Sequence, residues 1–104
     1  MAKVMIHYTL KPGVTHAEYQ EWVRTTDYPT MRGIARVAAF SNHRVRGLLM
    51  GEGDAGMDYV EIFDIPDLDG FVGEDMPGPV IQGIMGDFAS RVENPVFIVL
   101  DEVV

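Results

Sequence analysis

Cysteine is absent from this chain of 104 residues. Its absence excludes a disulfide framework and any thiolate metal site, leaves stability to packing or association, and suits a reducing cytoplasm. Positive charge is also scarce, with eight Lys and Arg against sixteen Asp and Glu and a formal net charge of −8. A surface of that sign repels phosphate backbones and anionic headgroups, so neither nucleic acid nor a membrane surface is an expected partner. Its ordinary role is solubility. No apolar stretch approaches the ~20 residues of a membrane helix. The chain also opens on alternating sequence, without the basic and apolar regions of an export signal, so a cytoplasmic location is expected.

What is present suits one folded domain over residues 1–104. Hydrophobic residues make up 47% of the chain and charged residues 23%, too apolar for disorder. Residues 3–10 are rich in β-branched and aromatic side chains and stop at Lys11-Pro12-Gly13, which predicts a first strand. Thr15 and Glu18 have the spacing of a capping box. Tyr19, Trp22, Val23 and Thr26 follow at helical spacing, so a helix is expected to about Asp27 and to end at Tyr28-Pro29.

Residues 34–50 read as a second strand, the glycine-rich segment 51–56 as a hairpin connection, and residues 57–65 as a third strand. Pro66-Asp67 opens a short helical piece to about Met76. After Pro77-Gly78-Pro79 a further helix carries Ile81, Ile84, Met85, Phe88 and Val92 on one face and ends at Asn94-Pro95. Residues 96–100 form a continuous apolar last strand. The order β-α-β-β-α-β predicts an α+β, ferredoxin-like antiparallel sheet with its helices on one face. The other face then needs a second layer that the chain does not contain.

Alternation along the strands suggests what each face carries. Val4, Ile6, Ala38, Phe40, Val60, Ile62, Val96, Ile98 and Leu100 form an apolar set for packing beneath the helices. The remaining set mixes apolar walls with polar groups and includes His7, Ser41, His43, Tyr59, Glu61, Phe63 and Phe97. Such a mixture suits a ligand pocket. A homodimer stacking two such faces would enclose it.

The run Trp22-Val23-Arg24-Thr25-Thr26-Asp27-Tyr28-Pro29-Thr30-Met31-Arg32, followed by Val37-Ala38-Ala39-Phe40 and Arg44-Val45, resembles the RedY-like (HapK) family of dimeric α/β-barrel proteins. The resemblance implies a dimeric barrel and a role in tailoring an aromatic natural product in prodiginine-like, pyrrole or indole alkaloid pathways. Cyclisation, dehydration or condensation without a cofactor is the implied chemistry. The wider superfamily includes cofactor-free monooxygenases, so oxidation of an aromatic polyketide-like substrate is the enzymatic alternative, and a non-catalytic protein holding a reactive intermediate is the other.

His7 and Glu61, placed on one face, are expected to work as an acid/base pair, because a carboxylate on one imidazole nitrogen fixes the tautomer and strengthens the other as a base. A purely structural Glu61 satisfying a buried donor is the competing expectation. His43 is a further acid/base candidate, and Ser41, Tyr59, Phe63 and Phe97 are expected to contact an aromatic small molecule. Asp27, Tyr28 and Arg32, in the segment that carries the resemblance, are expected at the pocket mouth. Alternatively, Asp27 pairs with Arg24 or Arg32 and Tyr28 packs on the dimer partner. No HxH or HxxxH spacing supports a metal site, and residues 51–56 lack the Lys-Ser/Thr and strand-to-helix context of a phosphate loop.

Overall fold

The computed structural model describes residues 2–104. Strand β1 (Ala2–Leu10) leads to helix α1 (His16–Trp22), a π-helical turn (Val23–Asp27) and a short helix α2 (Tyr28–Arg32). Strands β2 (Ala39–Arg44) and β3 (Tyr59–Asp64) follow, then a helical turn α3 (Leu68–Gly70), a second π-helical turn (Phe71–Asp75), helix α4 (Pro79–Ala89) and strand β4 (Val92–Asp101). The strands lie in the order β2-β3-β1-β4 and every neighbouring pair is antiparallel. The fold is therefore the α+β, ferredoxin-like arrangement expected from the element order.

Local chemistry explains the boundaries. The Thr15 hydroxyl accepts the Glu18 amide at 3.1 Å and starts α1. Pro29 does not end the helix, contrary to expectation. The π turn widens the helix just before it, with the Tyr28 amide reaching back to the Val23 carbonyl, and Pro29 then sits in the first turn of α2, where its missing N–H is not needed. Strand β2 is shorter than residues 34–50. Beyond Arg44 the chain leaves the ladder, Gly47 has φ +153°, and Leu49 and Met50 are 99% and 85% exposed, so these apolar residues have no strand to pack in.

Helix α4 stops at Ala89, and β4 starts at Val92 rather than at Val96. Pro95 is tolerated inside β4 because β4 is an edge strand, and a register shift interrupts the β1–β4 ladder nearby. Asn94 adopts φ +53° there.

The core lies between the helices and one face of the sheet. Ile6, Tyr8, Phe40, Tyr59 and Phe63 project from the strands into Tyr19, Trp22, Met31, Ile81, Ile84 and Phe88 from the helices. Phe40 and Phe63 are direct cross-strand partners whose rings stack at 4.1 Å. Each such side chain contributes roughly 1.5–3 kcal/mol by burial.

The register corrects the expected division of the faces. Side chains of directly opposed residues point to the same side, and Ile6 is opposed by Glu61 and Phe97 while Val4 is opposed by Phe63 and Val99. Tyr59, Glu61, Phe63, Phe97 and Val99 therefore face the helices. His7 is opposed by Val60 and Val96, so those residues, with Ile62, Ile98 and Leu100, share the open face with Ser41 and His43.

Candidate active site

A cavity of about 240 Å³ opens between the sheet and the helices. Ile6, Phe63, Phe97, Ile84 and Phe88 form its walls, and Leu68, Phe71, Val72 and Met76 close its outer side. Both π-helical turns border it, the first presenting Asp27 and the second presenting Phe71 and Val72. Turns of this kind recur at functional sites because they break the regular side-chain spacing of a helix.

Asp27 and Glu61 are the two polar residues in this apolar lining. They are 4% and 3% exposed, and among the described residues Asp27 Oδ2 and Glu61 Oε2 have no hydrogen-bond partner. Burial pushes the Asp27 carboxyl up to about 7. Burial, reinforced by the neighbouring Asp27 charge and opposed by a hydrogen bond from Tyr8, pushes Glu61 up to about 8. The Asp27 charge thus adds to the burial that keeps Glu61 protonated. Near neutral pH the pair holds both a transferable proton and a basic oxygen.

A buried polar group backs Glu61. The Tyr8 and Tyr19 hydroxyls are hydrogen-bonded to each other, and the Asn42 amide donates to Tyr8 Oη at 3.1 Å. Burial first and the Glu61 charge second push both phenols far above their ordinary range, so they stay neutral donors. Tyr8, Tyr19 and Asn42 were not among the residues expected at the site. Tyr8 shares the parity of Ile6 along β1, which was the available signal.

The expected His7–Glu61 pair does not form, because the two side chains leave the sheet on opposite faces. His43 Nε2 instead meets Ser41 Oγ at 2.8 Å on the open face. Asp27 pairs with no arginine: Arg24 lies beside Glu21, and Arg32 donates to the Phe40 carbonyl at 2.8 Å and covers the Tyr28 ring at 3.7 Å. The Tyr28 hydroxyl bonds the Asn42 backbone, and Tyr28 and Tyr59 border a separate cavity. Phe63 and Phe97 do line the cavity with Glu61. Among the described residues no group of three His, Asp or Glu converges as a metal site, and no helix is long and apolar enough to cross a membrane.

A four-stranded antiparallel sheet with its helices on one face defines the class of protein as α+β and ferredoxin-like. Its family follows from the sequence: the chain belongs to the family described as REDY-like protein HapK, whose model matches residues 2–103. Among solved structures it is similar to HapK from Hahella chejuensis, at 22% identity and TM-score 0.80, covering 99% of this chain and 93% of that one. It is also similar to a DABB family protein with a ferredoxin-like fold from Mesorhizobium loti, at 14% identity and TM-score 0.76 over 98% and 96% of the two chains. A third is a dimeric ferredoxin-like protein from Thermobifida fusca, at 15% identity and TM-score 0.70 over 95% and 88%. No curated protein matches the chain by sequence.

Proposed function

We propose that the chain is a single-domain, cofactor-independent enzyme of secondary metabolism that performs acid/base chemistry with Glu61 and Asp27. The observation that carries this reading is the pair of buried carboxyls whose unpartnered oxygens share an apolar cavity. In such surroundings a carboxylate is a stronger base than in water, and its neutral partner is a ready acid. The ionised member takes a proton from a carbon or nitrogen acid. In a dehydration the neutral member protonates the departing hydroxyl, which leaves as water; in a cyclisation or condensation it protonates the oxygen that gains charge.

The cavity favours a largely apolar ligand, because Phe63, Phe88 and Phe97 offer ring faces and edges. Membership of the REDY-like family supports an aromatic, nitrogen-containing intermediate of a prodiginine-like, pyrrole or indole alkaloid pathway as substrate. A cytoplasmic homodimer, formed through the open face of the sheet, is part of the same proposal. Similar folds described as dimeric, and the apolar Val60, Ile62, Val96 and Ile98 on that face, support it.

The test is turnover of pyrrole and indole intermediates by purified wild-type, Glu61→Gln, Asp27→Asn and His7→Ala proteins. Loss of about 100-fold or more in the two carboxyl variants, with His7→Ala active, is expected. Full activity in Glu61→Gln would overturn the reading. Tight binding without turnover by the wild type would assign the cavity to holding an intermediate instead.

A further inference from the structure

A second cavity, of about 250 Å³, lies on the helix side of the sheet between α1 with its π turn and the strands β2, at the sheet edge, and β3 beside it. Val23, Tyr28 and Tyr59 line it, together with the two arginines Arg24 and Arg44. The Tyr59 hydroxyl is held in place by Gln20 Nε2 at 3.2 Å and His16 Nδ1 at 2.8 Å. Asn42 links the two cavities, lining this one while its amide holds Tyr8 behind Glu61.

The charge of this cavity runs against that of the molecule. In a chain of net charge −8, most cationic side chains with a described partner are engaged elsewhere. Lys3 pairs with Asp64, Arg36 is ringed by Asp67, Glu74 and Asp75, and Arg91 donates to the Asp87 carbonyl and covers the Trp22 ring. Arg44 has no carboxylate partner among the described residues, and Arg24 has only the solvent-exposed Glu21 at 3.3 Å, a contact of little strength. Two guanidinium groups beside a partly aromatic hollow form a receptor for a flat anion, since the planar fork matches a carboxylate and the walls take its apolar body.

We propose that this second cavity is a binding site for a small aromatic carboxylate. It differs in kind from the cavity around Glu61, where two carboxyl groups in an apolar lining disfavour an anion and accept a neutral molecule. The chain thus offers one site for a neutral aromatic compound and one for an acid.

Benzoate and its neutral isostere benzamide test the assignment, with binding followed by calorimetry and amide chemical shifts at constant ionic strength. Benzoate is expected to bind at least about tenfold more tightly than benzamide, to shift resonances around Tyr28 and Arg44, and to lose about tenfold in affinity in Arg44→Gln. Glu21→Gln, which frees Arg24, is expected to tighten benzoate, and Glu61→Gln is expected to leave it unchanged. Both arginines are exposed, so their variants fold, as melting curves will verify. Equal binding of benzoate and benzamide, no binding of benzoate, or a benzoate affinity that follows Glu61→Gln and ignores Arg44→Gln would each overturn the proposal. None of these outcomes bears on turnover at Glu61.

Discussion

Asp27 at the end of a π-helical turn and Glu61 in the middle of β3 come from opposite layers of the molecule and meet in one apolar cavity. Neither has a counter-charge, and each oxygen left without a partner is held out of water. Such an arrangement is costly to folding whenever both groups are ionised, because a buried charge without a partner loses its hydration and gains little in return.

Stability should therefore fall as pH rises. Glu61 moves from its ordinary 4.5 to about 8 on folding and Asp27 from 3.8 to about 7. Between the unfolded and folded values the native state binds the proton and the unfolded state does not, so each group destabilises the fold by on the order of 1 kcal/mol per pH unit across that window. Below about pH 3 both states are protonated and the dependence from these two groups vanishes. Melting temperature is expected to drop from pH 5 to pH 9. Glu61→Gln, which keeps the shape and removes the charge, is expected to flatten that drop, and an unchanged slope in Glu61→Gln would refute the buried acid.

Tyr8→Phe removes the hydroxyl that Tyr19, Asn42 and Glu61 share. The ring packing against Phe88, 4.8 Å away, is preserved. The Asn42 amide and Tyr19 hydroxyl lose their common partner, at a cost of about 1–3 kcal/mol by chemical denaturation. The same change takes away the hydrogen bond that holds Glu61 down, so its titration, followed by carboxyl NMR, moves further up. Movement downward would mean that Tyr8 does not donate to Glu61.

The element order was legible because it is written in local signals. Thr15 and Glu18 mark a cap, Pro66 and Asp67 a helix start, and the rich β-branched content of β1 a strand. The pairing of faces was not legible from β3. That strand carries Val60 and Ile62 on one side and Tyr59 and Phe63 on the other, so its alternation reads equally well in either orientation. The choice is made by the ladder, where Glu61 falls opposite Ile6, and one residue of slip exchanges the two sides. The partner expected for Glu61 was thus the wrong one, since His7 leaves the sheet on the other face. Asp27 was singled out by the family segment, but its neighbour is a strand residue brought up by the π turn, which no periodicity announces.

The open face of the sheet makes the quaternary state testable. Val96 is 43% exposed in the single chain and lies on the edge strand β4 opposite His7, on the face proposed to meet a second copy. Val96→Glu leaves the core beneath the helices untouched and sets a charge where two faces would meet. The wild type is expected to have the mass of two subunits in light scattering, and Val96→Glu the mass of one with its melting curve still cooperative. A wild-type mass of one subunit would remove the homodimer from the proposal.

The outer wall of the acid cavity rests on a glycine that a methyl group cannot replace. A Cβ on Gly70 would lie 2.2 Å from Asp67 Oδ2 and 2.5 Å from Arg36 Nε, well inside contact distance. Asp67 is a short side chain held from two sides, since its Oδ1 accepts the Gly70 amide at 3.0 Å and its Oδ2 receives Arg36 Nε at 3.1 Å. The Gly70 amide, and Arg36 after it, hold the Asp67 carboxyl below its usual range. Gly70→Ala must push Asp67 aside, breaking the cap and one of the three ion pairs by which Arg36 fastens the segment carrying Leu68, Phe71, Val72 and Met76. Gly73, in the same segment, has nothing within 4 Å of its would-be Cβ and supplies the control. Gly73→Ala is expected to be neutral or to stabilise by up to ~1 kcal/mol through helix propensity, whereas Gly70→Ala is expected to destabilise by about 1–2 kcal/mol. Hydrogen exchange separates a local from a global effect. The Met76 amide, bonded to the Phe71 carbonyl at 2.9 Å, should exchange faster in Gly70→Ala while the β1–β3 ladder stays protected. Equal effects of the two substitutions would mean that the Arg36–Asp67 contact does not hold the wall in place.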